Sequence, residues 1–586
     1  MAASLKYRLK MRFDELARYP VSVLLLLVFG VFTNLDIADA ITLADDSRSR
    51  IYFCLGAGVL AGLAGHLSAL GRRRSILFSL ASGMLAATGG MALMFFASAD
   101  ASQRFVLAGG LFLFLMVAAY VRRGVGPAAF WQFNFRLFIA GGMALLAVLI
   151  MGGGLSALLA SFDYLFGVSL PEHAYEHVWA TVAGMFGPLF LLTLLPRDLD
   201  DNFALGASTG LVEKAVSALI NYALVPLLLA YALVLHAYTL KILVGWSMPR
   251  GEIGSLVLYF GIIGTATYMV AWPWRDQGTW ALRWFLRLWF LLLITPVAML
   301  LVAVWQRIAQ YGVTPERYCL CLFTFWLAVI VVYMAVRRRQ VDLRIIPASL
   351  GLLLVLSSVG PWGASAVSVR SQVSQLTRLL EGQGLLSRGH FVKPLSEEEG
   401  VSGPVPARIN SILHTLESVN GLDRLKPLFE GAPDNPFTQQ YASQDMVGRI
   451  QEVLGVSPVA SDSGGSDPLR VSFGITPPLT MEIDARSRVI GIFNTALKTP
   501  YSVTVQGLTV EVGEAEIRVS GVAGNMSRIN IAPVLQSLVT KKPKEPVRLS
   551  SDDGRVNAVI GYLQGRAGAH PHIDNMEFWL IVRDAP

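Results

Sequence analysis

The segment VSVLLLLVFGVF, Val21–Phe32, contains no charged residue. An α-helix rises 1.5 Å per residue, so a bilayer core of about 30 Å needs about 20 mostly apolar residues. Together with its apolar flanks, this segment is long enough to cross a membrane. It predicts a transmembrane helix over residues 20–37.

Ten further apolar runs follow it in the first 364 residues. The full set lies near residues 20–37, 51–70, 75–97, 104–121, 136–160, 177–196, 215–241, 255–273, 285–305, 318–336 and 345–364. The fifth run is interrupted by Met151-Gly-Gly-Gly154, and a helix broken there would need neighbouring groups to satisfy its backbone. The runs predict a polytopic α-helical membrane protein with about 11 transmembrane helices.

Charge density separates this membrane part from the rest of the chain. Of 586 residues, 54% are hydrophobic and 15% are charged, and the mean hydropathy is +0.53. Residues 1–366 hold 27 Lys and Arg against 18 Asp and Glu, whereas residues 367–586 hold 21 against 23. This split excludes a single soluble globular domain, since such domains carry about 25% charged residues. Because the positive excess lies among apolar runs, the pI of about 9.2 does not indicate nucleic-acid binding.

Lysine and arginine cluster in alternate loops. They stand at Lys6, Arg8, Lys10, Arg12, Arg18, Arg72–Arg74, Arg122, Arg123, Arg197, Arg275, Arg283 and Arg337–Arg339. If these loops face the cytoplasm, that side holds 20 of the 27 basic residues of the membrane part, with Arg136, Lys214, Arg287 and Arg344 at the adjoining span ends included. Cytoplasmic loops carry such an excess, which predicts a cytoplasmic N-terminus. An odd number of spans then places the C-terminal part in the periplasm of a bacterium, and the protein in the inner membrane.

The C-terminal part changes its periodicity. Apolar residues recur at helical spacing over 367–386, 407–418 and 443–454, whereas Leu508, Val510 and Val512 alternate with polar residues as in a strand. We expect a soluble α+β domain that ends in a β-rich module, for which a sandwich is one arrangement. The expected regions are a transmembrane helical domain (1–366), a periplasmic α-helical portion (367–460) and a periplasmic β-rich module (468–586).

Four segments in and beside the later spans carry a family resemblance. They are NYALVP (Asn221–Pro226) with Tyr231, Tyr238 and Lys241; YGVTPERY (Tyr311–Tyr318); Ile346-Pro347; and GPWGA (Gly360–Ala364). Together they resemble bacterial integral membrane proteins catalogued as domain of unknown function 4153 (DUF4153). The resemblance implies many spans in the inner membrane, and it implies no reaction, substrate or catalytic residue.

Acidic residues in the first outer loop indicate one candidate chemistry. Membrane glycosyltransferases that use lipid-linked sugars also combine an acidic first outer loop with a soluble outer domain, and there an Asp acts as base or metal ligand. Asp45 and Asp46 are the catalytic candidates under this alternative, a membrane-embedded transferase with a lipid-linked substrate. Acidic outer loops also follow simply from the lack of basic residues on that side.

A second candidate is a metal site at the start of the sixth span. His173 and His177 are four residues apart and would share one face of a helix, with Glu176 as an oxygen ligand. A polar rim at the membrane surface is the plainer interpretation.

Two further sets of residues are candidates for binding. Glu316 and Arg317 could grip an ionic substrate or the outer domain, although Thr314 as a cap and Pro315 in the first turn also make an ordinary helix start. His236 and Tyr238 lie in the seventh span, where polar side chains are costly and therefore indicate function. A transporter would have a polar cavity near His236.

The chain contains no P-loop, dinucleotide fingerprint or nucleophile motif. The sequence therefore favours a non-enzymatic protein without a cofactor, acting in envelope transport, sensing or assembly through its periplasmic domain. Its expected partners are the lipid bilayer and either envelope proteins or a lipid-linked substrate, and not nucleic acid.

Overall fold

The computed structural model describes most of the chain between residues 15 and 583. Outside the described residues lie 98–100, 122–125, 168–169, 197–198, 200–209, 246–252, 338–339, 388, 393, 396–403, 433, 439–442, 457–468, 475–486, 493–500, 506–507, 514, 522–525, 538–546, 554 and 568–571. The chain divides into two compact units, Met1–Ser371 and Gln372–Pro586. The predicted boundary between the helical portion and the β-rich module, residues 460–468, lies outside the described residues.

Apolar helices make up the first unit. They are α1 (Pro20–Ile37), α2 (Asp45–Gly71), α3 (Ile76–Phe95), α4 (Ala101–Ala118), α5 (Pro127–Phe166), α6 (Ala174–Leu194), α7 (Leu211–Ile242), α8 (Ile253–Ala271), α9 (Trp280–Tyr311), α10 (Pro315–Arg337) and α11 (Ile345–Ser358). In the described part of the chain, ten of them are long and apolar enough to cross a membrane, and α11 is shorter, with 14 residues. The predicted helical membrane architecture is confirmed.

The fifth helix is continuous through the glycines that interrupt its apolar run. α5 runs for 40 residues through Gly152, Gly153 and Gly154 to Phe166, and the next residue, Gly167, adopts a left-handed conformation with φ of 60°. Glycine weakens a helix but keeps its N–H, so the backbone ladder survives where a proline would break it. Gly152 also faces the Trp179 ring of α6, and a Cβ at Gly152 would lie 2.9 Å from that ring.

Small residues bring α2 and α3 together. A Cβ at Gly90 of α3 would lie 2.5 Å from Ala61 Cβ, and one at Gly65 of α2 would lie 2.6 Å from Ala86 Cβ. Ser82 Oγ adds a hydrogen bond of 2.9 Å to the carbonyl of Gly65. Since hydrophobic burial does not drive association inside a bilayer, such close backbone packing is what holds these helices.

The helix α11 lies antiparallel to α4. At one end Arg344 Nη1 donates to the carbonyl of Tyr120 at 3.0 Å. In the middle Gly351 and Gly110 face each other, since a Cβ on Gly110 would lie 3.0 Å from the Gly351 carbonyl oxygen. Val359, directly after α11, packs against the cluster that contains Leu107 near the start of α4. Together with Arg344 before it and Val359 after it, α11 extends along most of the length of α4.

The second unit begins within a helix and ends in two sheets. Its helices are α12 (Ala364–Gly382, which starts in the first unit), α13 (Pro404–Ser418), α14 (Ser443–Leu454) and α15 (Ala532–Ser537). Its strands are β1 (Leu386–Ser387), β2 (His390–Phe391), β3 (Leu469–Gly474), β4 (Ser487–Ile492), β5 (Tyr501–Val505), β6 (Leu508–Val512), β7 (Glu516–Gly521), β8 (Met526–Asn530), β9 (Val547–Ser550), β10 (Val556–Ala567) and β11 (His572–Arg583).

The larger strands form a two-layer sandwich. One antiparallel sheet has the order β3-β10-β11-β4, with β9 also paired to β10, and the other has the order β5-β6-β7-β8. Alternate residues of both sheets, such as Val510 and Ile517 in one and Ile560 and Phe578 in the other, are fully buried in the same hydrophobic core. The period-two alternation around Val510 therefore marked the face that lies inside the sandwich.

Asp553 ties the two sheets together at the turn between β9 and β10. Its carboxylate accepts hydrogen bonds from Ser551 Oγ at 2.6 Å and from Ser527 Oγ of β8 at 2.7 Å. Both hydrogen bonds lower the pKa of Asp553, and the one from Ser551 has the larger effect. Because the pKa is below that of the unfolded chain, the stabilisation is present above about pH 4 and is lost as the pH falls through the folded-state pKa.

Asp553→Ala is expected to cost about 1 kcal/mol, the usual net value of such hydrogen bonds. Amide exchange at Val556 in the full-length protein would then speed up about fivefold at neutral pH. Asp552→Ala is the matched control, because the Asp552 side chain makes no hydrogen bond among the described residues. Equal exchange in both variants would show that the carboxylate does not couple the sheets.

Candidate functional site

Polar side chains meet where α1 ends and α2 begins, a region that we call the first-loop end. Here Arg104 of α4 is almost completely buried, with 1% of its side chain exposed. Its Nη2 donates to Asp46 Oδ1 at 2.8 Å, and its Nη1 donates to Ser49 Oγ at 3.0 Å. Arg50 Nη2 also bonds Asp46, at 2.9 Å on the other carboxylate oxygen. Two arginines therefore occupy the Asp46 carboxylate, whereas the Asp45 side chain is 99% exposed.

A second cluster at the first-loop end involves α1 and α2. Asp36 lies 3.2 Å from Arg48 Nε and accepts a hydrogen bond of 2.8 Å from the Tyr52 hydroxyl. The Asp36 side chain is 9% exposed. The Asp36 carboxylate is therefore also paired with side chains of the protein itself. Both clusters are suited to holding helices together.

The structure does not bring the three candidate metal ligands together. His173 precedes the first turn of α6 in a left-handed conformation with φ of 63°, so it is outside the helix that would align it with His177. His177 Nδ1 instead lies 2.8 Å from Asn34 Oδ1 of α1, and His173 Nδ1 lies 2.9 Å from Glu176 Oε2. The hydrogen bond and charge of Glu176 raise the pKa of His173. Among the described residues, no group of three His, Cys, Asp or Glu side chains could hold a metal ion.

Glu316 and Arg317 lie in the first turn of α10, and the contacts of this turn are made by Arg317. The backbone N–H of Arg317 donates to Thr314 Oγ1 at 3.4 Å, as in a capped helix start. Arg317 Nη1 donates to the Gly312 carbonyl at 3.2 Å, and its guanidinium lies 5.4 Å from the centre of the Tyr311 ring. Glu316 is exposed, and its carboxylate forms no ion pair within the described part of the chain.

His236 and Tyr238 lie in α7, where His236 contacts its own helix and Tyr238 contacts the apolar core. His236 Nδ1 lies 2.7 Å from the carbonyl of Ala232, one turn earlier in the same helix. Tyr238 packs against the main apolar core of the bundle. A small cavity of about 10 Å³ is found elsewhere in the first unit, lined by residues that include Tyr120, Gln132 and Arg136. Pockets for small-molecule ligands usually measure about 300–1,000 Å³.

The segments that carried the family resemblance contact other parts of the bundle. Asn221 Oδ1 accepts a hydrogen bond of 2.9 Å from the backbone N–H of Thr279, at the start of α9. Tyr318 donates from its hydroxyl to the carbonyl of Trp362 at 2.8 Å, which joins the YGVTPERY and GPWGA segments. Val313 N–H donates to Ser371 Oγ of α12 at 2.9 Å. These residues hold helices that are distant in sequence.

Sequence reasoning missed two charged residues with defined partners. Arg344 pairs with Asp342 and thereby lowers the pKa of Asp342, and it also holds Tyr120. Arg104 is the fourth residue of α4 and begins its apolar run, a position where a buried arginine is costly without a partner. That cost was the available signal for Arg104, and the partner Asp46 lies 58 residues away.

Comparison with known proteins gives a family and one relative of unassigned activity. The relative is "Uncharacterized protein PM1469" of Pasteurella multocida (strain Pm70), which is 24% identical over 285 residues. The alignment covers 46% of this chain and 45% of that protein, so the chain matches less than half of the relative's length. No solved structure matches. The family model described as "Domain of unknown function (DUF4153)" matches residues 21–388, and the chain belongs to this family.

Proposed function

We propose that this membrane protein lies in the bacterial inner membrane, with its N-terminus in the cytoplasm and its C-terminal domain in the periplasm. The observation that carries this proposal is the antiparallel contact of α11 with α4. Because Gly351 faces Gly110 and Arg344 reaches Tyr120, α11 follows α4 across the bundle despite its 14 residues. Counting α11 as a crossing gives an odd number of spans, in agreement with the distribution of Lys and Arg.

We propose that the protein acts in envelope transport, sensing or assembly through its periplasmic domain. The two-sheet sandwich supports this role, since it is a folded module on the same chain as the membrane bundle. The contacts of His236 support sensing or assembly more than transport, because the imidazole bonds its own helix. Envelope proteins are the partners that such a module would meet.

Reporter fusions test the proposed orientation. Green fluorescent protein fused after Arg74 is expected to fluoresce, and alkaline phosphatase fused at Pro586 is expected to be active in intact cells. A phosphatase fusion after Ala40, in the loop between α1 and α2, is the control for a periplasmic position, and it should match the fusion at Pro586. An inactive phosphatase but fluorescent protein at Pro586 would place the C-terminal domain in the cytoplasm, and the proposed function would be abandoned with the orientation.

A further inference from the structure

The turn between α9 and α10 places two arginines near each other. Arg307 lies one helical turn before the end of α9, and Arg317 lies in the first turn of α10. The turn is held by Gly312, whose φ is 74°, and by the hydrogen bond from Val313 N–H to Ser371 Oγ. The half-buried Arg317 side chain lies within electrostatic reach of Arg307 as well as of Glu316.

These two arginines differ from others on the same predicted side of the membrane. Arg48, Arg50 and Arg104 each have a carboxylate within 4 Å, at 3.2, 2.9 and 2.8 Å. Neither Arg307 nor Arg317 has one among the described residues. Arg317 uses one donor on the Gly312 carbonyl, and the rest of its guanidinium has no acceptor in the part of the chain that the structure describes. A half-buried guanidinium next to a second cation calls for an anion.

Exposed aromatic side chains mark the level of these arginines. Trp305, Tyr311 and Trp362 are 73%, 52% and 55% exposed. In membrane proteins, Trp and Tyr at helix ends lie at the level of the lipid headgroups. Tyr311 is one turn from Arg307 and lies under the Arg317 guanidinium, so the arginines lie at that level too.

We propose that Arg307 and Arg317 together bind the phosphate of a membrane lipid headgroup at the turn between α9 and α10. The guanidinium is planar and presents paired N–H donors that match phosphate oxygens. A phosphodiester supplies the missing negative charge, while its acyl chains cover the apolar surface of the neighbouring helices. This site does not depend on the proposed function or on which leaflet the turn faces.

The test is a titration of the delipidated full-length protein in detergent with phosphatidylglycerol, with bound lipid counted by native mass spectrometry. The double variant Arg307→Gln with Arg317→Gln is expected to lower the apparent affinity about tenfold or more. Arg370→Gln is the matched control, because it removes one positive charge from an exposed residue of α12 that donates to the Pro361 carbonyl. This variant should bind lipid like the unchanged protein.

Two further variants and one competitor complete the test. Arg307 is exposed, so Arg307→Gln alone gives a folded protein with weakened binding if the double variant does not fold. Arg317→Lys keeps the positive charge but loses the paired N–H donors of the guanidinium. Its affinity for phosphatidylglycerol is expected to lie between those of the unchanged protein and the double variant. Unchanged phosphatidylglycerol binding in the glutamine variants would overturn the proposal. Displacement of the lipid by an equal concentration of inorganic phosphate would also overturn it, in favour of a site for free phosphate.

Discussion

Asp46→Ala is expected to lower the free energy of unfolding by about 3 kcal/mol, whereas Asp45→Ala changes it by less than about 0.5 kcal/mol. The reason is the burial of Arg104, whose side chain is 1% exposed. Removing one member of a buried ion pair leaves the other charge without compensation. The Asp46 carboxylate is 53% exposed, which places the expected cost at the lower end of the range for buried pairs.

Thermal unfolding in detergent measures this difference, with Asp45→Ala as the neighbouring control of identical chemistry. The double variant Asp46→Ala with Arg104→Met should recover much of the lost stability, because no charge is then left buried. Arg50→Ala removes the partner of the same carboxylate that is 32% exposed, far more than Arg104, and should cost less than about 1 kcal/mol. If Asp45→Ala and Asp46→Ala were equally mild, the Arg104 pair would not hold the first-loop end together.

The same pair bears on the alternative of a lipid-linked transferase. Loss of any activity on changing Asp46 alone would not indicate catalysis, since this carboxylate already holds Arg104 and Arg50. Asp45 is the position that tests catalysis, because its exposed side chain holds neither Arg104 nor Arg50. If envelope glycans are unaffected when both residues are replaced by Asn, the transferase alternative is excluded.

Gly264→Ala is expected to destabilise the bundle by at least about 2 kcal/mol, as overpacking of a rigid core does. The Trp289 ring of α9 lies directly on Gly264 of α8. A Cβ at that position would lie 2.6 Å from Cζ3 and closer still to Cη2. Trp289 has no exposed surface and packs between Phe260 and Phe285, with both ring-centre distances at 5.1 Å. The indole therefore has no space into which it can move.

The matched control is Gly142→Ala in α5, where a Cβ would meet nothing within 4 Å. This control should be neutral or slightly stabilising, because alanine favours a helix over glycine. Gly264→Ala combined with Trp289→Phe should be less destabilised than the sum of the two single changes, since the smaller ring makes room for the methyl group. Additive effects in the double variant would contradict the proposed contact.

Local periodicity predicted the elements of this protein well. The run around Val21–Phe32 became α1 with the bounds Pro20–Ile37, because a charge-free apolar stretch has no other stable form in a bilayer. The alternation around Val510 became β6, which buries that residue completely. The run predicted over residues 136–160 became the single helix α5, which continues through Gly152–Gly154 because these glycines keep their backbone N–H.

The residue sequence by itself determined the membrane class of the protein and its β-rich end, because burial period and apolar length are properties of short windows. Only the tertiary structure decided which polar groups meet. Asp46 with Arg104 and His177 with Asn34 pair across 58 and 143 residues. A left-handed residue at His173 and a close approach at Gly264 also depend on neighbours from other elements. A pattern within one helix states which side chains share a face, and the helix that packs against that face is set by the whole fold.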